Sequence, residues 1–323
     1  MPLPQVLPTK ESEIWPPLPL AGWSETAATL HLWTQIVGKV RIELAPWANH
    51  SWNVTLYVTA RGLTTSLMPH QIRCFEIDFD FIDHRLLIRA SDGATREIPL
   101  RAMAVADFYA RLMASLDEMG LPVKISGQPN EVDPAIPFAE DWQHAAYDPQ
   151  AAHRFWRVLV QTDRVFKQFR ARFIGKCSPV HFFWGSFDLA VTRFSGRVAP
   201  KHPGGVPHLP DAVAREAYSH EVSSCGFWPG NEAMPEAVFY SYAYPAPEGF
   251  AEATVQPADA SWNATLREFV LPYEKMRQAE DPGRISLEFL QTTYEAAARL
   301  GKWDCAALER SEDLAPHHSQ AQS

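Results

Sequence analysis

The order of elements in this chain is written twice. Residues 26–44 place Leu30, Trp33, Val37, Val40 and Leu44 at the three- and four-residue spacing of a helix face. Alternating β-branched and aromatic stretches follow at 51–59, 73–82 and 85–90, with turn signals at Asp83-His84-Arg85 and Asp92-Gly93. A helix over 104–119 then ends at Gly120 and Pro122. From residue 150 the order recurs, as a helix over 150–174, strands at 179–194, 217–228 and 237–244, and a last helix over 284–300 stopped by Gly301. Leu32-Trp33 with Arg41, eight residues after the Trp, matches Phe155-Trp156 with Arg164. Asp107-Phe108 with Gly120, twelve residues after the Phe, matches Glu288-Phe289 with Gly301. The first pair is offset by 123 residues and the second by 181, so the second copy carries 58 more residues, in longer loops.

The expected fold is therefore α+β: two diverged α-β-β-β-α repeats, with antiparallel sheets flanked by helices, related by a pseudo-two-fold. The expected division is an irregular Pro-rich start over 1–22, a first repeat over 23–125, a linker over 126–149, a second repeat over 150–308 and a disordered tail over 309–323. A chain of 323 residues with 11 Trp, 18 Phe and 9 Tyr has the apolar bulk for a large core. Its net charge of −9 argues against wholesale binding to nucleic acid or an anionic membrane. The start lacks a charged segment followed by an apolar run, and no stretch approaches a membrane span, so a cytoplasmic protein is expected. The four cysteines, at 74, 177, 225 and 305, form no C-x-x-C pair and are expected as reduced thiols.

The segment from Lys176 to Arg197, KCSPVHFFWGSFDLAVTRFSGR, is the most distinctive in the chain. With WPPLPL near the start and YSHE at 218–221, it resembles a bacterial family catalogued only as domain of unknown function 5996. That resemblance would span nearly the whole chain. It implies no established activity and carries over no catalytic residue.

Candidate chemistry gathers in the second half. Read as one strand, 179–194 puts His181 and Asp188 on opposite faces, to be united only by a bulge at Gly185. His220 and Glu221 in the next strand are the other candidates for acid, base or orienting roles. His181 and His220 on neighbouring strands, with one carboxylate, are also a candidate site for a divalent transition metal, although no H-x-H or H-x-x-x-H spacing supports it. Arg193 and Arg197, with Lys201, His202 and His208 on the Gly/Pro-rich loop 195–216, are candidates to hold an anionic group. Cys177 and Cys225 are the candidate thiol nucleophiles. G-x-S-x-G, G-x-G-x-x-G and Walker signatures are absent, so α/β-hydrolase, Rossmann and P-loop chemistry have no support.

Residues 153–176 hold seven Lys/Arg and one Asp, with Arg154, Arg157, Arg164 and Arg172 near one helical face. Two functions follow. The leading one is a small-molecule enzyme or binding protein for an anionic ligand, with a pocket made by the 179–194 and 217–228 strands and closed by the 195–216 loop. The alternative is a non-catalytic interaction module that uses the basic face at 154–172, Arg157 and Arg164 included, to bind an acidic partner or nucleic acid.

Overall fold

The computed structural model describes residues 14–205 and 209–310. His208, the first thirteen residues of the expected Pro-rich start and residues 311–323 of the expected tail lie outside the described residues.

Helix α1 (Ser24–Leu44) runs through the core, so it is buried beyond its predicted apolar stripe. Leu30, Trp33, Val37 and Val40 are fully buried, and Lys39 and Arg41 are almost so. Six antiparallel strands follow: β1 (Tyr57–Val58), β2 (Gly62–Thr64), β3 (Met68–His70), β4 (Arg73–Asp80), β5 (Arg85–Ala90) and β6 (Thr95–Pro99). They pair in the order β1-β2-β4-β5-β6, with β3 also on β4. Phe75, Ile77, Phe79, Leu86, Ile88 and Ile98 alternate inward. The opposite face carries cross-strand ion pairs, Arg89 with Glu76 and Arg85 with Glu97. Helix α2 (Val105–Glu118) returns over the buried face, and Phe108 stacks on Trp33 at 4.7 Å between centroids.

Helix α3 (Pro149–Ala171) opens with Asp148, whose side chain accepts from the Gln150 amide, and with Pro149 in the first turn. Phe155, Val158, Leu159, Phe166 and Phe169 make its buried stripe. Strands β7 (His181–Phe183) and β8 (Asp188–Val198) come next, then a short helix, α4 (Asp211–Ala217). Strands β9 (His220–Trp228), β10 (Val238–Tyr244), β11 (Ser261–Asn263) and β12 (Glu268–Pro272) complete the second sheet, ordered β11-β12-β10-β9-β8-β7. After a short helix, α5 (Tyr273–Arg277), helix α6 (Pro282–Leu300) packs with α3 against this sheet. Its N-cap is again an Asp before a Pro, Asp281, which accepts from Arg284 N.

The chain is thus mixed α+β, with two six-stranded antiparallel sheets flanked by helices. The sheets meet edge to edge where Leu56 and Phe182 exchange both backbone hydrogen bonds, at 2.9 and 2.7 Å. Beside this seam Trp184 donates to Val54 O at 2.7 Å and lies against Gly38, where any Cβ would fall 2.2 Å from its indole.

Two expectations needed correction. Residues 179–194 form a hairpin, because Trp184–Phe187 turn with Phe187 in the left-handed region at φ 62°. The expected strand at 51–59 is mostly a 3-10 turn over Asn49–Val54, since His50 and Ser51 both sit at φ 60°. Within the stretch 126–149, Phe138 and Asp141 are buried.

Candidate functional site

The β7–β8 hairpin decides which side chains meet. Its register pairs His181 with Ala190 and Phe183 with Asp188, so His181 and Asp188 share one face without any bulge. The registers of the following strands carry that face on through Ser224 and Gly226 of β9, Tyr240 and Tyr242 of β10, and Glu268 of β12. The other face, with Leu189, Val191, Phe227 and Phe239, is the one that α3 and α6 cover.

On the open face Asp188 is only 6% exposed. The Tyr240 ring crosses Gly226, where a Cβ would sit 2.3 Å from it, and its hydroxyl donates to Asp188 Oδ2. Burial pushes the Asp188 carboxyl up to about 7, against the Tyr240 hydrogen bond and with help from the charge of Glu131. Glu268 is likewise pushed up to about 7, by burial first and by Asp188 second. Tyr218 and Tyr242 join hydroxyls at 3.0 Å alongside, and Thr192 meets Ser224 at 2.8 Å.

Around the hairpin turn this face runs into a recess of about 700 Å³. Its walls are the N-terminal half of α1, residues 129–144, the turn at 185–187 and the β9–β10 loop from Trp228 to Ala233. Gln35 fixes one wall: its amide donates to Asn130 O and accepts from Asn130 N, both at 2.7 Å. The next residue, Glu131, is thereby set against the turn, where Ser186 Oγ donates to it at 2.7 Å. Burial raises the Glu131 carboxyl as well. His31 donates from Nε2 to Gly185 O at 2.8 Å, and burial holds the ring neutral, its pKa pushed down to about 4. Asp141 is fully engaged, taking the Gln143 and His144 amides and the His144 ring.

The residues singled out from sequence are dispersed. His181 is fully buried among Trp52, Tyr57 and Phe183, with Nδ1 3.3 Å from Thr55 Oγ1 and Nε2 unpartnered. Burial pushes it down to about 3, so it stays neutral. His220 pairs with Val198, six residues along β9 from the Gly226 that faces Ala190, the partner of His181. That separation is roughly 20 Å of strand, and the two histidines are not brought together. Among the described residues no three His, Cys, Asp or Glu side chains are placed to hold one metal ion.

Arg193 lies on the helix-covered face, 3.5 Å from the Phe169 ring and 4.2 Å from Tyr294, and donates to Phe169 O. Arg197 grips Glu221 at 2.6 Å and the C-terminal carbonyls of α6 at Gly301 and Lys302. His202 stacks on Tyr218 at 4.8 Å and accepts from Gly204 N. None of these groups faces the recess, so the anion-holding role expected of them finds no support in their placement. Arg157 and Arg164 lie off the buried stripe of α3, half-buried and exposed respectively. Burial raises the Cys177 thiol to about 11 and Cys225 further, the opposite of what a nucleophile needs.

Sequence reasoning missed Glu131, Glu268, Tyr240 and His31. The alternation Tyr240-x-Tyr242-x-Tyr244 was a readable signal, a strand presenting three hydroxyls on one face. Glu131 had none, because it sits in a Pro-rich stretch without periodicity.

The family model described as Family of unknown function (DUF5996) matches residues 15–310. No curated protein and no solved structure matches the chain.

Proposed function

The chain belongs to the DUF5996 family of unknown function, and we propose that it is a small-molecule enzyme or binding protein working in the recess between α1, residues 129–144 and the β7–β8 turn. The observation that supports this reading is the recess itself: about 700 Å³, within the range of ligand pockets, with apolar walls and a few convergent polar groups. This reading assigns proton handling to Glu131, in the recess wall with its carboxyl raised by burial, and to Asp188, behind the hairpin turn and pushed up to about 7. The reading extends to two diverged repeats about a pseudo-two-fold at the Leu56–Phe182 seam. In its support, each half runs helix, antiparallel meander, helix, and each first helix packs on the last. A cytoplasmic setting is also part of it, in keeping with four free thiols and no described helix long and apolar enough to cross a membrane.

Native mass spectrometry of untagged protein tests the pocket. A retained small-molecule mass, lost in a folded Ala28→Trp variant that fills the recess, is the expected result. Retention unchanged in that variant would place the ligand elsewhere, and no ligand in either protein, with no compound raising the melting temperature, would overturn the reading.

A further inference from the structure

The recess wall holds a second kind of proton-handling group besides its acids. Asp141 and His144 both line it. Asp141 is 1% exposed, and its carboxylate anchors a tight local turn. Oδ1 accepts the Gln143 and His144 amides, each at 3.1 Å, and Oδ2 takes His144 Nδ1 at 2.7 Å. A carboxylate has no proton to give, so Nδ1 carries the hydrogen and Nε2 of the neutral ring is an acceptor. Among the described residues no protein group is hydrogen-bonded to Nε2, and the side chain keeps 35% of its surface exposed. The turn is held against the start of α2, since Ala106 N donates to Asp141 O and Val105 N to His144 O, both at 3.0 Å. The ring is thus fixed from behind by a buried carboxylate and open at its other nitrogen, the arrangement in which an aspartate sets the tautomer of a catalytic base. His31, the other histidine of the recess, differs: its Nε2 is spent on Gly185 O, and its ring lies 5.0 Å from that of Phe187.

We propose that Asp141 and His144 are a general-base dyad of the recess, with His144 Nε2 activating a water for attack on an uncharged ester. This rests on the recess being a ligand pocket, as proposed above. The absence of charge on the substrate follows from the lining. Among the described residues it contains no Lys or Arg to hold a carboxylate or phosphate, its carboxylates repel an anion, and Ala28, Val132, Ile136 and Trp228 give it half-buried apolar surface. An ester asks least of such a pair, because its alkoxide departs with no more than the proton that the base returns. The water oxygen bonds to the ester carbonyl carbon as its proton passes to Nε2. The imidazolium, stabilised by Asp141, then gives that proton to the alkoxide oxygen as the C–O bond breaks. The products are the acid and the alcohol, and the ring is neutral again. His144 is the catalytic residue of this step and Asp141 its positioning residue.

The test is hydrolysis of p-nitrophenyl butyrate by the full chain, beside p-nitrophenyl hemisuccinate, whose acyl group has like length and carries a carboxylate. Turnover above buffer is expected, with kcat/KM at least about tenfold higher for the butyrate. His144→Gln, at an unchanged melting temperature, is expected to lose about 100-fold or more in kcat. Asp141→Asn is expected to lower kcat far more than it changes KM. Nitrogen NMR of the histidine ring reads the tautomer without any substrate, and is expected to place the proton on Nδ1 in the wild type and on Nε2 in Asp141→Asn. His144→Gln keeps the test open if Asp141→Asn does not fold. No turnover above buffer, turnover untouched in His144→Gln, a preference for the hemisuccinate, or a wild-type proton on Nε2 would each overturn the dyad. Turnover lost in Ala28→Trp and kept in His144→Gln overturns the dyad alone. Turnover kept in Ala28→Trp and lost in His144→Gln takes the reaction out of the recess and overturns the pocket on which it rests.

Discussion

Asp188→Asn should make this protein more stable at pH 8 than the wild type, by an amount that vanishes in acid. The carboxyl is 6% exposed and titrates near 7 in the fold, against 3.8 as a free group. Between those values the folded state holds a proton that the unfolded state has released. Stability therefore falls as pH rises through that window and levels off above it. Three units at about 1.4 kcal/mol each give an upper bound of roughly 4 kcal/mol, and relaxation of the site and water entry bring the expectation to about 2–4 kcal/mol. Asparagine keeps the shape and an oxygen for the Tyr240 hydroxyl, and it has no charge to bury. It also removes the negative charge that helps raise Glu268, so that carboxyl should move down in the variant. The assay is urea denaturation of both proteins at pH 4 and pH 8, with the slope checked for constancy. Near pH 4 the curves should nearly coincide, and at pH 8 the variant midpoint should be higher. Parallel pH dependence in the two proteins, or a variant less stable at pH 8, would refute the assignment of Asp188 as a carboxyl held out of water without a compensating cation.

Gly226→Ala should cost about 1–3 kcal/mol and detach Tyr240 from Asp188, because the new Cβ would lie 2.3 Å from the ring; the melting temperature reads the first effect, and a fall of the Asp188 pKa followed by carboxyl-labelled NMR would contradict the second. Gly38→Ala meets the indole of Trp184 at 2.2 Å at the seam between the sheets, and should likewise lower the melting temperature, by a loss of the same order. Cys177 and Cys225, with thiols raised by burial, should react with an aromatic disulfide reagent at pH 8 far more slowly in the folded protein than in denaturant; equal rates would contradict their placement on the helix-covered face.

The four long helices were legible because each advertises itself locally, whereas the short α4 and α5 were not read. Asp148-Pro149 and Asp281-Pro282 are cap and first turn in adjacent letters, and the Phe155–Phe169 stripe keeps the helical period. Strands β4, β5 and β10 were legible for the same reason, alternation over five or more residues. What failed was turn geometry. Phe187, His50 and Ser51 adopt left-handed backbone that nothing in those side chains announces, so a hairpin read as one strand and a 3-10 turn read as another. The site failed with it. Counting parity along an unbroken 179–194 strand put His181 and Asp188 on opposite faces, whereas the turn folds them onto one. The arginines misled for a different reason. A sequence shows that Arg193 and Arg197 exist near the site, but which carbonyl or carboxylate each will occupy is a tertiary fact, and both were occupied by α3, α6 and Glu221.

The chain carries nine more acidic than basic side chains, and in the second sheet the buried cation and the buried carboxyls lie on opposite faces. Arg193 is enclosed by aromatic rings on one face of the second sheet, while Asp188 and Glu268 sit on the other with no basic partner. A single Arg or Lys on the open face would pull both carboxyls back to their ordinary range and stabilise the fold at neutral pH. Stability therefore does not account for this arrangement, and a strongly perturbed acid pair beside a recess is the pattern that sites doing chemistry or capturing charge display. On that logic Asp188→Asn should give opposite signs in two assays, a gain in stability at pH 8 and a loss of the small-molecule mass retained in native mass spectrometry. A variant that gains the first without losing the second would confine Asp188 to the sheet and leave the recess to work without it.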